Sequence, residues 1–155
     1  MKKILIVEDD PMLVEIYSKK FISDGFNADT ACSGAEAEKK IKAGKFELVL
    51  LDLVLPEADG FEVLKYFNKN DIKQNVIILS SYDDIKIVQE MLSLGCKGYL
   101  TKNNAGEHIV NAIKAVAKGE QYFSSDIQNI LLKSFAGQHV PNGDAPENFL
   151  KESLT

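Results

Sequence analysis

The chain has 155 residues, of which 45% are hydrophobic, so it has the length of one domain with a single compact core. Charged residues make up 26% and the net charge is −5, values typical of a soluble folded chain. All 18 basic residues are lysine, and without arginine the chain lacks the bidentate side chain that reads guanine. We therefore expect no direct nucleic-acid binding by this chain.

The two cysteines, Cys32 and Cys96, are far apart, and neither has a second cysteine or histidine nearby at metal-ligand spacing. This pattern predicts reduced thiols in a cytoplasmic protein rather than a disulfide framework or a zinc site. The apolar run 4–7 is too short for a signal peptide. No window has the length of a membrane span, so we expect no membrane association.

Short apolar runs alternate with amphipathic stretches along the chain, a pattern typical of strand–helix units that build a parallel sheet. Five strands are predicted, over residues 4–7, 26–30, 48–51, 76–79 and 98–100. The first, third and fourth are nearly continuous apolar runs, as strands covered on both faces require. The predicted fold is a doubly wound α/β fold of the flavodoxin-like type, with a five-stranded parallel sheet.

Capping residues after each strand predict where the helices begin. These residues are Asp10 with Pro11, Ser33, Asp59 with Glu62, Asp83, and Asn104 with Glu107. The first helix is expected to stop at Gly25 and the fifth at Gly119. Five strand–helix units then account for a domain over residues 1–120.

Residues 121–135 are predicted to form a C-terminal helical extension, because Ser125 and Gln128 have the spacing of a capping box. An apolar stripe follows at Ile127, Ile130, Leu131 and Phe135. This stripe favours local docking over a dimer interface, although both uses fit its spacing. Beyond it, glycine and proline interrupt the pattern, so residues 136–155 are predicted to be a flexible linker that leads to an output domain outside this chain.

Polar side chains follow the predicted strands at the edge of the sheet where ligands bind in such folds. They are Glu8 and Asp9 after the first strand, Asp52 after the third, Ser80 after the fourth and Lys102 after the fifth. Carboxylates gathered there repel, by about 4 kcal/mol for two charges 4 Å apart at an effective dielectric constant of about 20. Lys102 offsets part of this repulsion, and Mg²⁺ prefers such oxygen ligands. The sequence therefore predicts a Mg²⁺ site.

The same groups are the parts needed to transfer a phosphoryl group onto a carboxylate. Asp52 is the predicted nucleophile, Lys102 would neutralise one phosphoryl oxygen, and Ser80 would donate a hydrogen bond to another. Taken alone, Asp9 and Asp10 would more simply cap a helix. The common position of all these groups at strand ends favours the chemical interpretation.

Three stretches carry a family resemblance. They are residues 4–10 (ILIVEDD), 51–60 (LDLVLPEADG) and 98–102 (GYLTK). In this order, with Ser80 between the last two, they resemble the CheY-like receiver domain of bacterial two-component response regulators. The resemblance implies a cytoplasmic phosphoacceptor rather than a metabolic enzyme. Asp52 would take its phosphoryl group from a sensor histidine kinase, with intrinsic Mg²⁺-dependent autophosphorylation and autodephosphorylation.

The resemblance also implies roles for individual residues. The implied Mg²⁺ ligands are Asp9, Asp52 and the backbone carbonyl of Val54, with Glu8 bound through water. Ser80 and Tyr99 are implied as a switch pair, in which the hydroxyl moves toward the phosphoryl group and the aromatic ring turns inward. Phosphorylation supplies one to two negative charges and three acceptor oxygens, a local cause for such a change.

Two features concern the variable positions of the family. Asn103 follows Lys102 where many receivers have a proline. The resemblance implies that Val54 and Tyr82 occupy positions that tune dephosphorylation. Because both residues are non-acidic and poor at activating water, a comparatively long-lived phosphorylated form is predicted.

The segment 119–132 (GEQYFSSDIQNILL) resembles the segment that follows the receiver in NarL-type regulators, which carry a C-terminal helix-turn-helix domain. A transcriptional output and dimerisation on phosphorylation are the corresponding expectations.

Two other functions are weighed against the switch. A phosphatase of the haloacid-dehalogenase type usually has a second aspartate two residues after its nucleophile, and Val54 stands there. A receiver-like adaptor that is never phosphorylated has no evident need for Asp9, Asp52, Ser80 and Lys102 together.

Overall fold

The computed structural model describes residues 2–103 and 105–137, which form a parallel sheet with helices on both faces. The strands are β1 (Lys3–Val7), β2 (Asn27–Ala31), β3 (Leu48–Asp52), β4 (Val76–Ser80), β5 (Gly98–Thr101) and β6 (Tyr122–Phe123). The helices are α1 (Pro11–Ser23), α2 (Gly34–Ala43), α3 (Gly60–Lys69), α4 (Ile85–Ser93), α5 (Ala105–Ala117) and α6 (Ser125–Gly137). The strand order is β2-β1-β3-β4-β5-β6, so the chain reverses direction across the sheet after β2.

The sheet separates two apolar clusters. Strands β3, β4 and β5 are buried along their whole length, because helices cover both of their faces. The helix residues of one cluster are Ala37 and Ile41 of α2, Val63, Leu64 and Phe67 of α3, Val88 and Met91 of α4, and Ile127 and Leu131 of α6. Those of the other cluster are Tyr17 and Phe21 of α1, and Ala105, Ile109, Ala112, Ile113 and Val116 of α5. Helix α6 therefore lies on the same face as α4.

The predicted five-stranded sheet is wrong by one strand, because the described residues form six. β6 extends the sheet beyond β5, with Gly98 opposite Tyr122 and Tyr99 opposite Phe123. A Cβ atom on Gly98 would lie 2.8 Å from the carbonyl oxygen of Tyr122, so glycine allows this close approach. A strand of two residues is too short for alternation to reveal it in the sequence.

Most of the predicted helix starts are confirmed, and one is displaced. Asp10, Ser33 and Asp59 each accept a hydrogen bond from a backbone amide in the first turn of their helix. The cap of α4 is Asp84 and not the predicted Asp83: its carboxylate accepts the amide of Lys86 at 2.8 Å. The predicted cap Asn104 lies outside the described residues.

The extension after residue 120 differs in detail from the prediction, since it begins with a strand and its helix runs to Gly137. The predicted capping box is wrong, because Ser125 is the first helical residue and the Gln128 side chain donates to the carbonyl of Phe123. The side chains of residues 135–137 and the rest of the predicted linker, residues 138–155, lie outside the described part. Within the described ranges, no helix has the length and apolar character needed to cross a bilayer.

Candidate functional site

The carboxyl ends of four parallel strands bring the predicted site residues together. An open cavity of about 380 Å³ lies there. It is lined by Glu8, Asp9, Asp10, Asp52, Val54, Ser81, Tyr82 and Lys102. Ser80, the last residue of β4, is buried beside this cavity and pairs in register with Thr101 of β5. The predicted convergence of the strand ends is observed.

Lys102 is the cation of this site. Its Nζ lies 2.8 Å from Oδ2 of Asp52 and 3.5 Å from Oε1 of Glu8. Both carboxylates are buried, with 2% of each residue exposed. Burial lowers the pKa of Lys102, but the hydrogen bond to Asp52 and the charges of Asp52 and Glu8 together raise it above its ordinary value. Lys102 is therefore a permanent positive charge at Asp52.

The charged form of Glu8 is disfavoured by its surroundings. Burial, followed by the closeness and negative charge of the Asp52 carboxylate, raises the pKa of Glu8 from 4.5 to about 8. Its Oε1 faces Lys102, whereas Oε2 is buried and has no hydrogen-bond partner within the described ranges. A buried carboxylate oxygen without a partner is costly, so a further positive group would stabilise it.

The donor set fits a hard divalent cation. Glu8, Asp9 and Asp52 each present a carboxylate oxygen, and the three oxygens lie within 4.8 Å of one another. Oxygen ligands of this kind suit Mg²⁺, and the unpartnered Oε2 of Glu8 is the atom that such a charge would relieve. The amide of Val54 donates to Oδ1 of Asp52 at 3.1 Å, which holds the Val54 peptide next to the cluster.

The backbone of Tyr82 joins the two predicted switch residues, a connection that sequence reasoning missed. The amide of Tyr82 donates to Oγ of Ser80 at 2.9 Å, and the hydroxyl of Tyr99 donates to the carbonyl of Tyr82 at 2.6 Å. Tyr99 is fully buried, so its ring lies inward, and burial raises its pKa to about 12. Its hydroxyl therefore stays protonated and remains a donor.

The loop that follows β3 is fastened to the start of α2. The amides of Gly34 and Ala35 donate to the carbonyls of Pro56 and Glu57, at 3.4 and 2.9 Å. A Cβ atom on Gly34 would lie 1.7 Å from the carbonyl oxygen of Ala58, so only glycine permits this contact. The first amides of α2, which have no partner within the helix, are thus satisfied by the loop.

A second missed contact ties α6 to the end of β5. The hydroxyl of Thr101 donates to Oδ2 of Asp126 at 2.6 Å. No sequence pattern links residues so far apart in the chain.

Residues 4–114 match the family model described as the response regulator receiver domain. The chain belongs to this family. A receiver domain is regulatory rather than a metabolic enzyme, and the flavodoxin-like parallel fold agrees with the solved receivers. The predicted family and the flavodoxin-like α/β fold are confirmed, with six strands in place of the predicted five among the described residues.

The receiver domain is similar to several curated transcriptional regulators. A CpxR homologue from Haemophilus influenzae, a transcriptional regulatory protein, is 32% identical over 157 residues, which cover 100% of this chain and 68% of that protein. The alkaline phosphatase synthesis transcriptional regulatory protein PhoP of Bacillus subtilis is 30% identical, with 83% of this chain and 54% of that protein covered. The chain thus spans about half to two thirds of these relatives.

Among solved structures, the response regulator TrrA from Thermotoga maritima was determined in complex with Mg²⁺ and BeF. It is 30% identical, with a TM-score of 0.66 over 74% of this chain and 97% of that one. Mg²⁺ binding is thus known for a relative with the same fold.

Proposed function

We propose that this receiver domain is a phosphorylation-dependent switch in which Asp52 accepts a phosphoryl group from a sensor histidine kinase. The observation that carries this proposal is the environment of Asp52. Its carboxylate is buried at the end of β3, has the Lys102 ammonium at 2.8 Å, and opens onto the 380 Å³ cavity. An acceptor for a highly charged group needs this combination of a fixed nucleophile and a fixed cation.

In the transfer step, a carboxylate oxygen of Asp52 attacks the phosphorus of a phosphohistidine. A phosphorus–oxygen bond forms while the phosphorus–nitrogen bond breaks, and its electron pair stays on the imidazole nitrogen, which takes up a proton from water. Lys102 neutralises charge on one phosphoryl oxygen, and Ser80 offers a hydroxyl hydrogen bond to another. The products are an aspartyl phosphate and a neutral histidine on the kinase.

The proposed metal ligands are Glu8 through water, and Asp9, Asp52 and the Val54 carbonyl directly. Mg²⁺ held there supplies positive charge that offsets the carboxylates and the phosphoryl oxygens. The unpartnered Oε2 of Glu8 and the 4.8 Å spacing of the oxygens support this assignment.

The proposed conformational change follows from the shared contact at Tyr82. The hydroxyl of Ser80 cannot turn fully to a phosphoryl oxygen without altering the hydrogen bond that it accepts from the Tyr82 amide. The Tyr82 carbonyl accepts the hydrogen bond of the Tyr99 hydroxyl, so a movement of the Tyr82 backbone reaches Tyr99. Phosphorylation would need about 5.5 kcal/mol of differential stabilisation to invert a 1:99 population.

The proposed output lies outside this chain. Because the chain spans only part of relatives named transcriptional regulators, we propose a cytoplasmic regulator with a C-terminal DNA-binding domain. The assignment of that domain to the helix-turn-helix type of the NarL regulators rests on the resemblance of residues 119–132. In this proposal, residues 1–120 are the receiver, 121–135 the extension and 136–155 the linker. Phosphorylation would favour a homodimer, and the receiver itself would not contact DNA.

Intact-mass spectrometry after incubation with Mg²⁺ and acetyl phosphate tests the acceptor. Wild type should gain one phosphate, and Asp52→Asn or chelation of the metal should abolish the gain. Asp10→Asn is the matched control, since Asp10 lines the same cavity but accepts the Met12 amide as a helix cap, a role that asparagine retains. An adduct that survives Asp52→Asn, or a wild type that binds neither acetyl phosphate nor beryllofluoride, contradicts the proposal.

A further inference from the structure

The start of α6 is bonded to β5 on both sides of Leu100. The amide of Ser124 donates to the carbonyl of Tyr99 at 3.2 Å. The hydroxyl of Thr101, a residue only 4% exposed, donates to Asp126 at 2.6 Å. These two contacts bracket the end of β5, directly before Lys102.

Asp126 is held by two hydroxyl groups. Thr101 donates to its Oδ2, and the fully buried Ser124 donates to its Oδ1 at 2.5 Å. Hydrogen bonds from a hydroxyl to a carboxylate are short and about twice as strong as those between neutral groups. The carboxylate of Asp126 is thus a firm point of attachment for the end of β5.

The end of β5 is also where Lys102 is oriented. The amide of Lys102 donates to the carbonyl of Ser80 at 2.9 Å, and its Nζ reaches Asp52 and Glu8. Because Thr101 and Lys102 share a peptide bond, a displacement of Thr101 changes the direction from which the ammonium approaches Asp52. A displacement of 1 Å in a positioned group is enough to slow a transfer step strongly.

We propose that Asp126 is a positioning residue for Lys102, although α6 lies outside the residues 4–114 that match the family. Through Thr101 it fixes the end of β5, and thereby couples the docking of α6 to the state of the phosphoryl site. Coupling of this kind is reciprocal, so occupancy of the site also changes the attachment of α6. The expected change in the rate of phosphorylation rests on the proposed role of Asp52, whereas the expected change in the position of the end of β5 does not.

Amide hydrogen exchange of the metal-free, unphosphorylated protein tests whether Asp126 fixes the end of β5. Asp126→Ala and Thr101→Val should each raise exchange of the amides of residues 100–103 about tenfold, the expected effect of losing a hydrogen bond to a charged group. At these residues the double variant should resemble Asp126→Ala, because that variant has already lost the bond to Thr101. Ile127→Val is the matched control: it loosens the buried face of α6 but leaves Asp126 in place, so its exchange should rise along α6 only.

Phosphorylation by acetyl phosphate, followed in the same proteins, supplies a readout that a merely structural role would not change. Asp126→Ala and Thr101→Val should slow it about tenfold, while Ile127→Val should match wild type. If the two variants behave like Ile127→Val in both measurements, the inference is overturned. If wild type neither takes a phosphoryl group from acetyl phosphate nor binds beryllofluoride, the proposed function fails, and the exchange of residues 100–103 still decides whether Asp126 positions Lys102.

Discussion

Replacing Glu8 by glutamine should stabilise the metal-free protein above neutral pH. Folding raises the pKa of Glu8 from 4.5 to about 8, and each pKa unit corresponds to about 1.4 kcal/mol. The charge of Glu8 therefore destabilises the folded state by at most about 5 kcal/mol at pH 8. Glutamine has nearly the same shape and carries no charge at any pH, so the variant avoids this cost.

The sign follows from proton binding. Between pH 4.5 and pH 8 the folded chain keeps a proton on Glu8 that the unfolded chain has released, so the free energy of unfolding falls as pH rises through this window. The Lys102 pKa is raised above 10.5 and that of Asp29 is lowered below 3.8. The contributions of these two groups to the free energy of unfolding therefore change with pH outside the window in which Glu8 titrates. The Glu8→Gln variant should therefore show a flatter dependence on pH than wild type.

Urea denaturation in a chelating buffer at pH 5, 6.5 and 8 measures this difference. The gain of Glu8→Gln over wild type should be small at pH 5 and reach about 2 to 5 kcal/mol at pH 8. Glu15→Gln is the control, because Glu15 is an exposed carboxylate on α1 whose side chain is 67% accessible; its curve should parallel that of wild type. Parallel curves for wild type and Glu8→Gln would refute the reasoning.

Three further predictions concern backbone packing at Gly34, the exposure of the two thiols and the rate of dephosphorylation. Gly34→Ala should destabilise the protein by about 1 to 3 kcal/mol in urea denaturation, because the new Cβ meets a backbone oxygen. The control Gly106→Ala should leave the stability unchanged, because nothing lies within 4 Å of a Cβ atom at that position. Equal urea midpoints for the two variants would contradict this prediction. Native protein should expose one thiol to a disulfide reagent, Cys32, since Cys96 is buried and burial raises its pKa to about 12; two equally fast thiols would argue against this packing. The phosphorylated protein should release phosphate slowly, and Val54→Glu should release it faster, since a carboxylate at this position can orient water. An unchanged rate of release in that variant would count against a tuning role for residue 54.

The sheet and the site could be predicted because their signals are strong and local. The apolar runs of β1, β3 and β4 are continuous, and each is followed by a charged or hydroxyl side chain at the same edge of the sheet. Parallel topology then brings Asp52 and Lys102 together without further information. The error at the cap of α4 arose because Asp83 and Asp84 are adjacent and either can cap a helix.

The contacts that sequence reasoning missed depend on tertiary structure. Tyr82 joins Ser80 to Tyr99 through its backbone amide and carbonyl, which every residue type except proline possesses. The bond between Thr101 and Asp126 requires α6 to dock beside β5, and no periodicity encodes that neighbour. Side-chain identity and strand order thus predicted which residues meet at the site, whereas the contacts that connect the site to its surroundings required the fold.

The short strand β6 has a practical consequence for where this protein can be divided. β5, whose four residues are all buried, is an inner strand only because Tyr122 and Phe123 pair with it. A chain shortened to end at residue 120 would lack the strand that pairs with Gly98 and Tyr99, and unpaired strand edges can pair with another molecule. We expect such a fragment to self-associate more readily than a chain that retains β6.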